Sequence, residues 1–354
     1  MSPRVTIVVA TYGRPDALVC ALQSVFQQTL ADWQLWVIGD GCSADTGAAL
    51  QPFLADPRVR YINLPWRCGA QALPNSAGML NAQTDFIALL NHDDLWLPTH
   101  LETACQRLDP AQPGFFFGRS AWIWQGPADP GSLPVIETVS LAAPDFATIF
   151  QRGFHAIEPA SAWVLTRVLV RKVGPWRSGS GLYRASIQDW ALRAWRAGAR
   201  LVAGEAVSCL KFEDHWSNQA PGLRYALAPR SQQALLGAIS DPARLAALQQ
   251  QLAVLAQQPQ AAGRRMSLDL ALGNQPMAKQ LAQWLITPHT AQYFHQTGLD
   301  AYNWMCAEWG LARGWREQAV LQRRTGETLA REPSLDQVVQ HVAQALSDAP
   351  GSRS

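Results

Sequence analysis

Runs of basic residues are missing from this 354-residue chain, and so is any CxxC pair. Lys and Arg number 29 against 27 Asp and Glu, for a formal net charge of +2, and no stretch of them would track a phosphate backbone. That excludes a nucleic-acid partner held by charge. The cysteines at positions 20, 42, 68, 105, 209 and 306 lack zinc spacing, and several fall in apolar periodic segments; they are expected as reduced core thiols. No uninterrupted apolar window of roughly 18 residues occurs, so no membrane span is expected. The N-terminal apolar run, VTIVVA, is shorter than the apolar core of a signal peptide and reads as a first strand. A cytoplasmic setting is therefore expected, with peripheral attachment at the inner face of the membrane compatible with it. TYGRPD follows that strand where a dinucleotide fold would need G-x-G-x-x-G, which argues against a dinucleotide-dependent oxidoreductase.

What is present is a globular composition, 48% hydrophobic and 16% charged, with 15 tryptophans that could line a groove and are expected to fill a core. Strand and helix patterns alternate. RVTIVVA is a strand by its β-branched content, and Leu18, Val19, Leu22, Val25 and Phe26 follow at helical spacing with Pro15 near the start. WQLWVIGD ends a second strand at Asp40, a helix is expected over 45–54, VRYINL is a third strand, 75–82 is helical, and DFIALL is a fourth strand. This alternation predicts an α/β fold on an open, mostly parallel sheet flanked by helices, where ligands bind beyond the carboxyl ends of the strands.

From 115 to 151 aromatic and proline-rich pieces predict an edge strand and long loops. SAWVLTRVLVRKVGPW, a helix over 187–198 and the β-rich LVAGEAVSCLKF complete the α/β unit near Asn218. Past about Arg224 the chain turns to Ala, Gln and Leu with helical periodicity, as in PARLAALQQQLAVLAQQ. A division into 1–224 and a helical region 225–354 follows. In the latter, LDAYNWMCAEWGLARGW is expected as an amphipathic helix with Tyr302, Met305, Trp309 and Leu311 on its apolar stripe, and the final residues as disordered.

Within this frame, IALLNHDDLWLP sets Asp93 and Asp94 side by side at a strand end. Adjacent carboxylates repel and are costly to desolvate, so a cation must sit nearby or water must reach them. The bland alternative is that they cap a helix beginning near Pro98. VVATYGRP puts Thr11, Tyr12 and Arg14 at the end of the first strand, and VIGDGCSAD puts Asp40 at the end of the second. SIQDWALRAW adds Asp189 at a helix start, where the ordinary explanation is a charge favourable to the helix dipole.

Taken together, from about Val5 to Asn218, these stretches resemble an inverting family 2 glycosyltransferase of the GT-A fold. That family opens with a strand, a Thr/Ser–Tyr turn and an Arg, matched by Thr11, Tyr12 and Arg14. An acid after the second strand is matched by Asp40, the family's LDxDDxW.P by LLNHDDLWLP, and its Glu-Asp pair before a Trp- and Leu-rich helix by IQDWALRAW. PNSAGMLNAQTDFIALL resembles the family's lead-in to the acidic motif.

The resemblance implies transfer of a sugar from a nucleotide diphosphate sugar, UDP-sugars favoured, to an acceptor hydroxyl by single displacement. Mn2+ or Mg2+ would offset the charge growing on the diphosphate. It implies that Asp93 and His215 contact the metal, that Asp40, Thr11 and Tyr12 hold base or ribose with Arg14 steadying their loop, and that Asp189 is the general base. Asp94 then braces the loop, and the ion is the positive partner that the paired carboxylates need. Two positions depart from the family. Asn91 replaces the first aspartate of the acidic motif and Gln188 the acid before the base. Both remove negative charge, so metal binding is expected to be weaker, with the Asn91 amide oxygen still able to accept a hydrogen bond. The expected partners are the donor and a saccharide, lipid-linked saccharide, peptide or small-molecule acceptor, with no nucleic acid. Region 225–354 would recognise acceptor or form a homodimer. The alternative is a catalytically weak nucleotide-sugar-binding or scaffolding protein on the same fold.

Overall fold

The computed structural model describes residues 2–124, 134, 136–140, 159–183, 185–213, 229–257, 310–329 and 331–348. The N-terminal third alternates β1 (Val5–Thr11), α1 (Pro15–Phe26), β2 (Trp33–Gly39), α2 (Ala44–Leu54), β3 (Val59–Asn63), α3 (Ala72–Asn81) and β4 (Phe86–Leu89). There follow β5 (Leu95–Trp96), α4 (His100–Arg107), β6 (Gly114–Trp124), β7 (Ile136–Val139), β8 (Trp163–Thr166), α5 (Arg167–Val173), α6 (Ser186–Arg196) and β9 (Arg200–Glu213). The elements described beyond β9 are helices: α7 (Arg230–Ile239), α8 (Pro242–Gln257), α9 (Trp315–Thr325) and α10 (Leu335–Ser347).

The described strands form one sheet in the order β3-β2-β1-β4-β8-β6-β9-β5, with β7 on β6. The first four strands pair in parallel, as does the long β6–β9 ladder, whereas β8 enters antiparallel between β4 and β6. Strand order reverses at β1, with β2 on one side and β4 on the other, and such a reversal opens a crevice beyond the carboxyl ends of the strands. β1 and β4 are runs of β-branched, Leu, Ala and Phe side chains because helices cover both faces of the sheet, which removes the in–out alternation of a half-exposed strand.

Two placements differ from the sequence expectation. The aromatic run after 114 is an interior strand, β6, and its Phe115 and Phe116 are fully buried, so the run of aromatics marks a strand covered on both faces. Asp93 and Asp94 do not cap a helix: α4 starts at His100 with Thr99 before it. Six tryptophans are buried among the described residues; of these Trp163 packs on Trp176 and Trp190, and Phe115 packs on Trp163 and Trp190. Cys20, Cys42, Cys68 and Cys105 are free thiols, and these four and Cys209 are buried.

The C-terminal helices complete the core. Val338 and Val342 of α10 are fully buried in the main apolar cluster, and Ser334 and Gln337 form a reciprocal capping box at the start of that helix. Leu248 and Leu252 of α8 join a second cluster with Ile123 and Phe212. Most of the expected amphipathic stripe, Tyr302 to Trp309, lies outside the described residues, as do the 224–225 boundary, His215 and the final residues. No described helix is long and apolar enough to cross a membrane.

His100 is wholly buried, stacked on Trp96 at 4.6 Å between ring centroids, with Nδ1 2.9 Å from Ser208 Oγ. Burial pulls its pKa down from 6.5 to about 3. The unfolded chain therefore takes up a proton below pH 6.5 that the folded one refuses, so this group makes stability fall with pH through that window. The slope is up to about 1.4 kcal/mol per pH unit. Urea unfolding of wild type and His100→Gln between pH 7 and 4.5 should show a shallower pH dependence in the variant; parallel curves would count against it.

Candidate active site

A cavity of about 250 Å3 opens beyond the carboxyl ends of β1, β2 and β4. Thr11 and Tyr12 reach it from β1, Asp40 from β2, and Asn91, His92 and Asp93 from the loop after β4. Across from them stand Ala185, Ser186 and Ile187 at the start of α6, Lys211 of β9, and α9 with Arg316, Glu317, Leu321 and Arg324. The turns after β1 and β2 can bend sharply because Gly13 and Gly41 take φ of 61° and 65°, a region costly for other residues.

Asp40 is buried and heavily engaged. Its carboxylate accepts from the backbone N–H of Cys68 and of Gly69, the latter at 2.9 Å, and pairs with Arg67 Nη1. Burial pushes its pKa up, against the pull of Arg67 and those two N–H groups. The Arg67 guanidinium also lies over the Tyr12 ring, 3.3 Å from its centroid. His92 joins two loops: its Nδ1 accepts from Tyr12 N at 3.3 Å and sits 3.2 Å from Thr11 Oγ1.

The paired aspartates have separate partners, both cationic side chains of the chain itself. Asp93 Oδ2 meets Arg14 Nη1 at 3.1 Å, with both side chains buried. Arg14 thus lies behind the cavity, not among its lining residues. Asp94 is fully buried: Oδ2 accepts from Ser161 Oγ and, at 2.8 Å, from Asn91 Nδ2. Its Oδ1 accepts from Phe212 N at 3.2 Å and faces Lys211 Nζ at 3.4 Å. Burial, reinforced by the Asp93 charge, raises the Asp94 pKa against Lys211, Ser161 and Asn91. The amide at position 91 has a local reason here, since an ionised aspartate could not donate to Asp94.

Asp189 occupies the first turn of α6 beside buried Gln188, one turn from Ser186 and Ile187 in the cavity wall, and is not itself a lining residue. Its Oδ2 accepts from Arg193 Nε at 2.8 Å, and Oδ1 lies 3.6 Å from Arg177, whose side chain is exposed. No group of three or more His, Cys, Asp or Glu able to hold a metal occurs among the described residues. Oxygen donors at Asp93 and Asn91 nonetheless suit a hard divalent ion that takes its other ligands from a bound diphosphate and water. Sequence reasoning missed Arg67, Lys211, His92, Arg316, Glu317, Arg324 and Glu327. The HDD motif itself pointed to His92; the others carry no local pattern.

Asp94 is the most heavily paired of these carboxylates. Asp94→Ala would strand the ammonium of Lys211 in a site that is 13% exposed, and losing one partner of a buried ion pair costs about 3–5 kcal/mol. Urea unfolding should report a loss of that order, and a change below ~1 kcal/mol would mean the network is unimportant to stability.

Residues 6–127 match the family described as Glycosyl transferase family 2. The chain is 38% identical over 109 residues to the succinoglycan biosynthesis protein ExoO of Rhizobium meliloti, covering 31% of each chain. It is 29% identical over 114 residues to the UDP-Glc:alpha-D-GlcNAc-diphosphoundecaprenol beta-1,3-glucosyltransferase WfgD of Escherichia coli, covering 32% of this chain and 44% of that one. The chain thus spans less than half the length of these relatives. A solved structure of S. aureus TarS 1-349 in complex with UDP-GlcNAc superposes with a TM-score of 0.48 at 12% identity, over 88% of this chain and 93% of that one. The matched segment holds Thr11, Tyr12, Arg14, Asp40, Asn91 and Asp93, which line the strand-end side of the cavity or stand directly behind it, and it is this segment that is similar to glycosyl transferase family 2.

Proposed function

We propose that the chain is a glycosyltransferase that moves a sugar from a nucleotide diphosphate sugar to an acceptor hydroxyl with inversion. The observation that carries this reading is the convergence of Thr11 and Tyr12, Asp40, and Asn91 to Asp93 from three neighbouring parallel strands on one cavity. In this reading Asp40, Thr11 and Tyr12 receive the nucleoside end of the donor, and Asp93, held by Arg14, faces its diphosphate. A divalent ion, Mn2+ or Mg2+, held at Asp93 with His215 would offset the negative charge that grows on the departing diphosphate.

Asp189 takes the proton of the acceptor hydroxyl while that oxygen bonds to the anomeric carbon. The bond from that carbon to the diphosphate oxygen breaks with its electron pair leaving on the nucleoside diphosphate. Arg193 keeps the carboxylate oriented, and Arg177, exposed, is the partner that can yield to the acceptor. The activity for which WfgD is named supports a uridine-based donor and a lipid-linked saccharide acceptor. Such an acceptor would suit a protein working in the cytoplasm at the membrane's inner face. Residues 1–224 carry the chemistry in this reading, and 225–354 bear on acceptor recognition or dimer formation.

Release of nucleoside diphosphate from a panel of nucleotide sugars, with and without Mn2+, tests the reading. Asp93→Ala or excess EDTA should abolish turnover, and full activity in either case would remove the metal assignment. Asp40→Ala should raise the donor KM with little effect on kcat, since its contact exists in ground and transition states alike.

Asp189→Asn keeps shape without basicity, so donor should still bind while transfer falls by roughly 10²–10⁴-fold. Unchanged transfer would demote Asp189 to a helix-dipole charge. The neutral residues Asn91 and Gln188 favour the weaker alternative, a nucleotide-sugar-binding protein. Donor binding without release or transfer on any acceptor would select it.

A further inference from the structure

The part of the chain outside the family match reaches back into the cavity. Residues 310–329 run from the loop before α6, through α9, to the nucleoside end of the site. At the first end, Gly314 N donates to Leu182 O at 2.7 Å, and Arg313 Nη1 donates to Gly181 O at 3.0 Å. At the other, Glu327 Oε1 accepts from Tyr12 Oη at 2.6 Å, and its Oε2 accepts from Arg67 Nη2 at 3.1 Å and from Nε at 3.2 Å. Leu329 and Leu321 fill the space over Gly69, whose N–H is bound to Asp40. Glu327 therefore closes a chain of contacts: Glu327 to Arg67, Arg67 to Asp40 and over the Tyr12 ring, and Tyr12 back to Glu327.

We propose that this C-terminal segment is a wall of the donor site, and that Glu327 is a positioning residue that fixes Tyr12 and Arg67 as a stacked, charged platform for the donor's nucleoside end. The proposal rests on the nucleotide-sugar reading of the cavity and deepens it. Without Glu327 the guanidinium keeps only Asp40 as its anionic partner among the described contacts. It is then drawn wholly onto the carboxylate a nucleoside would need, and the phenol hydroxyl loses its acceptor. Glu327 takes two of the Arg67 N–H groups and so leaves part of Asp40's accepting capacity for a ligand, a division of labour that the planar guanidinium fork permits and a lysine could not copy. Burial would raise the Glu327 pKa, but the Tyr12 hydroxyl and Arg67 outweigh it and hold the carboxyl below its ordinary range. The arrangement is thus fully charged above the usual glutamate pKa and is lost only as pH falls through the depressed value.

Calorimetric titration of the full chain with UDP, GDP, TDP and ADP, in the presence of Mn2+, tests this. Wild type should bind at least one of them. For that nucleotide Glu327→Ala should weaken Kd by roughly tenfold or more and Glu327→Gln by less, with Tyr12→Phe intermediate and the Gln and Phe changes non-additive when combined. Where a preferred acceptor is known, the loss should appear in donor KM and leave kcat nearly unchanged. Glu327→Gln, which preserves shape, guards against a variant that merely unfolds, and circular dichroism checks each protein. Unchanged affinity in folded Glu327→Ala and Glu327→Gln would overturn the proposal, and so would tighter binding, which would make the segment a competitor of the donor. A wild type that binds none of the four nucleotides would overturn the donor reading itself, and this proposal with it.

Discussion

The site depends on a carboxyl group kept out of water. Asp94 has no exposed surface, and four donors from three separate stretches of chain converge on it: Asn91 from its own loop, Ser161 from the turn before β8, and Lys211 and Phe212 from β9. An ion so buried is tolerated only when its lone pairs are met, so the loop after β4 cannot shift without breaking several charge-assisted bonds at once. Asp93, its neighbour, is thereby held at the cavity edge. One residue supplies rigidity, and its neighbour lines the cavity.

Four aspartates around this centre each have a basic companion: Asp40 with Arg67, Asp93 with Arg14, Asp94 with Lys211, and Asp189 with Arg193. Arg67 serves Glu327 as well, so these charges are already partnered before any ligand arrives. A ligand carrying phosphate or cation must therefore exchange partners with the protein, not simply fill a hole. Exchange of comparable ion pairs in a low-dielectric cleft changes free energy less than burial of an uncompensated charge would. Rearrangement on binding is accordingly inexpensive where side chains can swing, as at Arg177, and costly where they are fully enclosed, as at Asp94.

The strand ends are legible in the sequence because β-branched runs stop abruptly at polar residues, and a parallel sheet brings those stops to one rim. Thr11, Tyr12, Asp40 and Asp93 are found that way. Asp94 is read as a brace by its position, but its partners are not, because Ser161 and Lys211 lie far along the chain and have no motif of their own. Glu327 is 315 residues from the tyrosine it contacts, and only tertiary packing joins them. β6 is misread as an edge for a different reason: aromatic and proline-rich pieces suggest irregularity, while its neighbours on both sides come from later segments that local periodicity does not reveal. The metal expectation came with the family resemblance, which made the ion the positive partner of the two adjacent carboxylates. Arg14 and Lys211 show that the chain already supplies such partners at rest.

The seat of α10 on α3 has a consequence for how the protein is made. Val338 and Val342 cover apolar surface belonging to an element that ends at Asn81. During synthesis the N-terminal βα units can assemble while that surface has no cover, and the helix that covers it emerges more than 250 residues later. At translation rates of about 5–20 residues per second the wait is about 13–50 s. Nascent chains would spend that interval with a greasy stripe open to solvent, long enough for holding chaperones to engage, so yield in the cell depends on the timing of the last helix as well as on the stability of the finished fold.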